Sequence, residues 1–352
     1  LLENKVLISV CIFVYNGEKF VSESIESILS QDFDDFELVI VDDGSTDKTA
    51  EIIEGYSNPK LRYFYKENSG RPKSRNRCIK EARGEYILWF SSDDVLAAGT
   101  LKKYAALINE FPETDIFQSN MLMTDENLTP TREMKYENWV GRQAMLQALL
   151  PLGNRLHDPA AVCRKKLYDK FGGYDPDFVR SQDYEWFMRV SGHTEIRHSD
   201  FTSFYYRRTR VSLGEKPIGN LYAAAAVNKF LSTHSIEALA SNAGFNVPAE
   251  IAPMFYRIKL VENFFNCADY ESALTYINEI LNSNAPLQIK EGAGQLLMIY
   301  HLRKAEQLIN EAEYQEALPH IKKVLSQKTE ESISNRARQL LGIISNKLTE
   351  SM

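Results

Sequence analysis

Along residues 5–125 the chain switches repeatedly between two hydrophobic patterns. A nearly unbroken apolar run at 7–15, broken by Ser9, predicts a strand buried on both faces. Phe20, Val21, Ile25, Ile28 and Leu29 then recur at helical spacing. A second strand is expected at 36–41. It is followed by a helix at 50–56 with Ile52, Ile53 and Tyr56 on one side, and by a third strand at 61–65. The helix expected at 73–83 leads to Gly84, placed where a left-handed C-cap would sit, and a fourth strand follows at 86–90. Strand alternating with helix predicts the α/β class, a mostly parallel sheet with helices on both faces. Such sheets bind ligands beyond the carboxyl ends of their strands.

The grammar loosens between 126 and 215, with loop plus strand at 152–162, a helix at 182–190 and short strands at 196–208. The stretch SLGEKPIGN (212–220) reads as a linker, so the expected domains are 1–213 and 214–352. No strand pattern follows. Instead ADYESALTYINEIL (268–281) recurs 44 residues later as AEYQEALPHIKKVL (312–325), which predicts stacked helical hairpins. The Tyr-x-x-Ala-Leu core resembles a tetratricopeptide unit, although the period is longer than that family's. Pro319 is expected to disturb its helix unless it lies near the start. These helices suit stabilisation of the first half, a homodimer or a protein partner, and the pattern does not choose among them.

Composition narrows the function. Against 48 acidic residues there are 41 basic ones, a net charge of −7 without a basic block, which argues against nucleic acid as a partner. Cys11, Cys78, Cys163 and Cys267 lack metal-ligand spacing and read as reduced core thiols. The longest apolar run is too short for a transmembrane segment. The expectation is a cytoplasmic protein, with peripheral attachment at the inner membrane face left open.

Three acidic clusters stand at element ends: Asp42 and Asp43 after the second strand, Asp93 and Asp94 after the fourth, and Asp183 opening a helix. Acids at the carboxyl edge of one parallel sheet converge on one crevice. Helix capping is the competing explanation for Asp42 and Asp43, and the better one for Ser45-Thr46-Asp47.

The ordered set ISVCIFVYNGEKFVSESIESILSQ, FELVIVDDGSTDKT, NSGRPKSRNRCIKEARGEYILWFSSDD and SQDYEWFMRVSG resembles glycosyltransferase family 2 over 5 to about 210. That resemblance implies the GT-A fold and inverting, metal-dependent transfer of one sugar from a nucleotide-sugar. A UDP-sugar is favoured, and the acceptor would be a glycan, lipid-linked or protein hydroxyl of a bacterial surface polysaccharide or glycoprotein pathway. By position it implies Asp93 as the ligand of Mn²⁺ or Mg²⁺, with Ser92 and Asp94 beside it, and Asp42 on the base with Asp43 supporting the turn or ribose. Val14, Tyr15, Asn16 and Glu18 would line the base pocket. Arg75, with Lys73 secondary, would face base or phosphates, and Asp183 would be the catalytic base. On the acceptor side stand His157, Asp158 and Trp186, the last equally suited to filling the core.

Three positions depart from the family's pattern. Ser91 replaces the first acid of Asp-x-Asp, Gln182 replaces the Glu of a Glu-Asp pair, and Tyr206-Arg207-Arg208 stands where some relatives supply a histidine. Arg207 is then expected to bind the diphosphate by bidentate contacts. A catalytically weak homologue, holding nucleotide while its helices act as a scaffold, is the alternative. A dinucleotide oxidoreductase lacks its G-x-G-x-x-G, and a polymerising synthase its membrane helices.

Overall fold

The computed structural model describes residues 6–136, 140–141, 156, 158–209, 218–243 and 245–350. Among these, two compact units separate between Phe230 and Leu231. The expected linker falls largely outside the described residues. The helix that follows it, Ile218–Leu231, belongs almost wholly to the first unit, where Lys229 bonds Asp175 and Glu185.

The first unit is built on one nine-stranded sheet: β1 (Ile8–Val14), β2 (Phe36–Asp42), β3 (Leu61–Tyr65), β4 (Tyr86–Ser91), β5 (Val95–Leu96), β6 (Ile116–Thr124), β7 (Pro130–Met134), β8 (Ala161–Arg164) and β9 (Ile196–Arg207). Its order is β3-β2-β1-β4-β8-β6-β9-β5, with β7 beside β6. The pairings β3-β2, β2-β1 and β1-β4 are parallel; β8 runs antiparallel to both neighbours, and β6 and β9 are again parallel. Val14 pairs with Asp42, and Phe13 with Ser91, so the strands that precede the acidic motifs end side by side. Burial explains the first strand's apolar run: Ile8, Val10, Cys11 and Ile12 are fully enclosed.

Helices α1 (Val21–Leu29), α2 (Thr49–Glu54), α3 (Arg71–Glu81) and α4 (Thr100–Glu110) connect the strands, with α5 (Lys166–Phe171) and α6 (Gln182–Val190) later. Gly84 is not the left-handed cap of α3. That helix stops at Glu81, Ala82 is already extended, and a Cβ on Gly84 would stand 2.5 Å from the Ser9 nitrogen. Residues 196–207 form one long strand rather than several short ones, because β9 pairs with β6 along most of its length.

The second unit is helical: α8 (Ile236–Asn242), α9 (Ala252–Asn266), α10 (Tyr270–Asn282), α11 (Leu287–Asn310), α12 (Tyr314–Leu325) and α13 (Glu331–Glu350), counting Ile218–Leu231 as α7. The repeat has a structural counterpart. Ala273, Ile277 and Ile280 are buried on α10, and Ala317, Ile321 and Val324 are buried at matching positions of α12. Ahead of each helix an alanine, Ala268 or Ala312, takes a left-handed φ of 58° or 65°. At both turns the next backbone N–H returns to the preceding helix, from Asp269 to the Phe264 carbonyl (3.0 Å) and from Glu313 to Leu308 (2.8 Å). This is the bonding of a Schellman turn. Pro319 lies inside α12, not at its start. It is tolerated because Gln315, whose carbonyl loses its helical donor, and Pro319 itself are both exposed.

Candidate functional site

A cavity of about 660 Å³ opens beyond the carboxyl ends of β1, β2 and β4. Its wall includes Phe13, Val14, Tyr15 and Asn16 from the end of β1, Asp43 after β2, and Ser91, Ser92 and Asp93 at the end of β4. Asn68, Gly70 and Arg71 contribute from the loop into α3, and Lys19 and Glu126 form an ion pair on the wall.

The glycine of Asp-Asp-Gly-Ser shapes this rim. Gly44 has φ +79°, and a Cβ there would lie 2.7 Å from the Asn68 nitrogen. Beside it, hydrogen bonds tie the turn to the end of β1: Asn16 N–H to Ser45 Oγ (2.9 Å), Thr46 N–H to Asn16 Oδ1 (2.8 Å) and Gly17 N–H to Thr49 Oγ1 (2.8 Å). Asn16, itself left-handed at φ 53°, serves both the cavity and this turn.

Of the two adjacent acids, Asp42 differs from the expectation. Asp42 is fully enclosed: Oδ1 accepts from the Ser45 N–H (2.8 Å), and Oδ2 from the Tyr63 hydroxyl (3.0 Å). It therefore closes the turn and does not reach the cavity. Asp43 does line it, while its carboxylate receives Lys66 and the N–H groups of Ser69 (2.9 Å) and Gly70 (3.0 Å). Glu18 is likewise drawn off, accepting from the Lys48 N–H (3.0 Å), and exposed Lys73 is not part of the lining.

At the second motif the roles also divide. Burial raises the pKa of Asp93, against the pull of Arg71 and Arg207. Asp94 is completely buried and turned away, with Oδ1 accepting from the Arg207 N–H (2.9 Å). Burial, then the neighbouring Asp93, pushes Asp94 well above the usual carboxylate range. Arg207 does not await a diphosphate. Its guanidinium is spent on the carbonyls of Asp93 and Glu126, on Glu23 and on the Phe20 ring.

Arg75 also differs. It is buried, packed among Phe13, Trp89 and Tyr174, and closed on Asp158, which in turn accepts from the Tyr174 hydroxyl (3.1 Å). Burial pushes the Asp158 carboxyl up to about 6, Arg75 opposes this and Asp183 adds to it. A fully buried Asp158 cannot touch an acceptor. Nor can Trp186, which stacks on Tyr168 at 4.2 Å and donates to the Gly172 carbonyl (3.0 Å), a core role. His157 lies outside the described residues.

Asp183 is half-buried on the first turn of α6, after Ser181 at a left-handed φ of 52°. It shares a neighbour with Asp93. Withdrawal from solvent, then Arg75 and Arg180, lowers the proton affinity of Arg71, while Asp93 and Asp183 both raise it. The acids ninety residues apart in sequence thus act on one guanidinium of the cavity wall. Arg71 was not singled out by its motif; its signal is the four-residue spacing from Arg75, which puts both on one face of α3.

Among the described residues no group of three or more His, Cys, Asp or Glu side chains is arranged to hold a metal ion. The cavity offers Asp93 and the hydroxyls of Ser91 and Ser92. Such a set fits Mg²⁺ or Mn²⁺ only where substrate phosphate and water complete the shell. All four cysteines are buried and unpaired, and no described helix is long and apolar enough to cross a membrane.

Comparison with known proteins bears on the family and the fold. Residues 9–172 match the sequence profile of Glycosyl transferase family 2. An uncharacterized glycosyltransferase of Rickettsia felis is 30% identical over 218 residues, covering 61% of this chain and 36% of that protein. The poly(ribitol-phosphate) beta-N-acetylglucosaminyltransferase TarS of Staphylococcus aureus is 46% identical over 107 residues, 29% of this chain and 19% of its own length. The chain thus spans about a third or less of these relatives. Crystal structures of S. aureus TarS 1-349 with UDP and with UDP-GlcNAc both superpose with a TM-score of 0.53, at 21% and 23% identity. Each covers 85% of this chain and 81% of that one, which establishes a common GT-A fold.

Proposed function

We propose that this chain, whose residues 9–172 match the profile of Glycosyl transferase family 2 and whose fold is GT-A, is a member of that family and moves one sugar from a nucleotide-sugar to a hydroxyl acceptor with inversion. The observation that carries this reading is the cavity at the strand ends, lined by Asp43, Arg71, Ser91, Ser92 and Asp93; Asp183 stands outside that lining, on the first turn of α6, and acts with Asp93 on Arg71. A UDP-sugar is the preferred donor, since the TarS neighbours were solved with UDP and UDP-GlcNAc.

In this reading Tyr15, Asn16, Asn68 and Asp43 form the nucleoside end of the cavity. Asp93 with Ser91 and Ser92 would hold Mg²⁺ or Mn²⁺, whose charge would ease departure of the diphosphate. Asp183 takes the proton of the acceptor hydroxyl as its oxygen bonds the anomeric carbon and the bond to the diphosphate breaks on the other face. Asp42, Asp94, Arg207 and the Arg75–Asp158 pair hold the wall in place. The helical unit is proposed as a separate domain that stabilises the chain or docks a partner.

Release of UDP from a panel of UDP-sugars, with Mn²⁺ and simple hydroxyl acceptors, tests this. Turnover of at least one donor is expected. The lone cavity carboxylate after β4 favours the second reading, a nucleotide-binding scaffold, and binding of UDP without release from any donor would select it.

A further inference from the structure

Arg71 opens α3 directly after Gly70, whose φ of +90° turns the loop into the helix. Its guanidinium lies 5.6 Å from the centroid of the Phe13 ring, and both residues line the cavity with Asp93. Four other cations around the cavity are committed. Arg75 is held by Asp158, Arg207 by Glu23 and two carbonyls, Lys66 by Asp43, and Lys19 by Glu126. The Arg71 side chain makes no hydrogen bond or ion pair with the described residues, although Asp93 and Asp183 both act on it electrostatically.

A guanidinium on a cavity wall, held over an aromatic face without a carboxylate partner, is ready for an anion. The same wall has lost a negative charge, since Ser91 stands where an Asp-x-Asp motif has its first acid. Fewer carboxylates hold a divalent cation less firmly, which leaves more of the diphosphate's charge to be balanced by other means. Guanidinium matches phosphate oxygens with two parallel N–H donors and stays charged at any working pH.

We propose that Arg71 clamps the donor's diphosphate and supplies part of the leaving-group stabilisation that a second metal-binding acid would otherwise recruit. The proposal rests on the glycosyltransferase reading. As the anomeric C–O bond breaks, its electron pair stays on the β-phosphate oxygen. Arg71 donates hydrogen bonds to the phosphate oxygens and gives up no proton.

The test is calorimetric titration of the full chain with UDP and with uridine, with EDTA present and then with Mn²⁺, for wild type, Arg71→Gln and Arg71→Lys. Arg71→Gln is expected to lose roughly 10- to 100-fold in UDP affinity in EDTA, the range for a hydrogen bond to a charged group. Its uridine affinity stays within about twofold of wild type, which also reports an intact fold, and Arg71→Lys loses less for UDP. Unchanged UDP affinity in Arg71→Gln would overturn the assignment, as would an equal loss for uridine, which would make Arg71 a support of the wall. A wild type that binds no nucleoside diphosphate (UDP, GDP or dTDP) and releases none from its sugars would overturn the glycosyltransferase reading and the clamp with it.

Discussion

The Arg75 guanidinium and the Asp158 carboxylate form a buried ion pair walled by Phe13, Trp89 and Tyr174, outside the lining of the cavity. A buried pair is costly to break from one side, because the remaining charge has neither partner nor water. Arg75→Met is therefore expected to lower stability by about 3–5 kcal/mol, read by urea denaturation. Arg75→Met with Asp158→Asn should recover part of that loss. UDP affinity of the folded single variant should stay within a few-fold of wild type; a stable Arg75→Met that has lost UDP would return Arg75 to the ligand.

Gly44 tests the rim of the cavity. At φ +79°, with the Asn68 nitrogen 2.7 Å from any Cβ, Gly44→Ala combines backbone strain with a backbone clash. The expected cost is about 1–3 kcal/mol. UDP affinity should fall as well, because Asn68 lines the cavity. An alanine variant equal to wild type in both thermal unfolding and UDP titration would contradict the rim geometry.

The repeated Schellman turns predict a gain. Ala268 and Ala312 carry a Cβ in the left-handed region, where an L-residue other than glycine pays about 1 kcal/mol. Ala312→Gly should raise stability by roughly that amount, less the extra freedom glycine brings to the unfolded chain. Protection of α11 and α12 in hydrogen exchange should increase; a decrease would mean the turn is not left-handed.

His301 and His320 meet Nδ1 to Nδ1 at 2.8 Å between α11 and α12, a contact that requires at least one neutral ring. Burial, then Lys323 and His320, lowers His301 to about 4; burial, then Lys304 and Lys323, lowers His320, with Glu271 opposing. The folded state thus binds fewer protons than the unfolded chain below the ordinary histidine range near 6.5. Stability from this pair is fully present above that value and is lost as pH falls toward about 4. Protection factors of α11 and α12, with the intrinsic pH dependence of exchange divided out, should fall between pH 6.5 and 4.5, with a smaller slope in His301→Gln. An identical slope in the variant would remove the pair from the effect.

Much of the first unit was legible because its strands are buried on both faces, so Val10 to Ile12 and Leu38 to Val41 leave a signal that needs no context. The helical repeat was legible for a similar reason, with Ala273 and Ala317 at one packing position. The motifs located the cavity but not the use of each residue. Asp42 and Asp43 are neighbours in sequence, yet the end of a strand turns one inward to Tyr63 and leaves the other on the wall. Arg75 and Arg207 are cations whose partners, Asp158 and Glu23, lie 83 and 184 residues away, beyond the reach of any local pattern. Gly84 was misread because glycine after a helix also serves close approach, here to Ser9.

In the proposed reaction Asp183 and Asp93, ninety residues apart in sequence, serve one reacting centre, one as base and one beside the diphosphate. Single-turnover UDP release by Asp183→Asn, with UDP affinity measured on the same sample, tests it most directly. The expected loss is roughly 10²- to 10⁴-fold in rate, the usual contribution of a general base, with UDP affinity within about threefold of wild type. Equal rates in Asp183→Asn and wild type would contradict it.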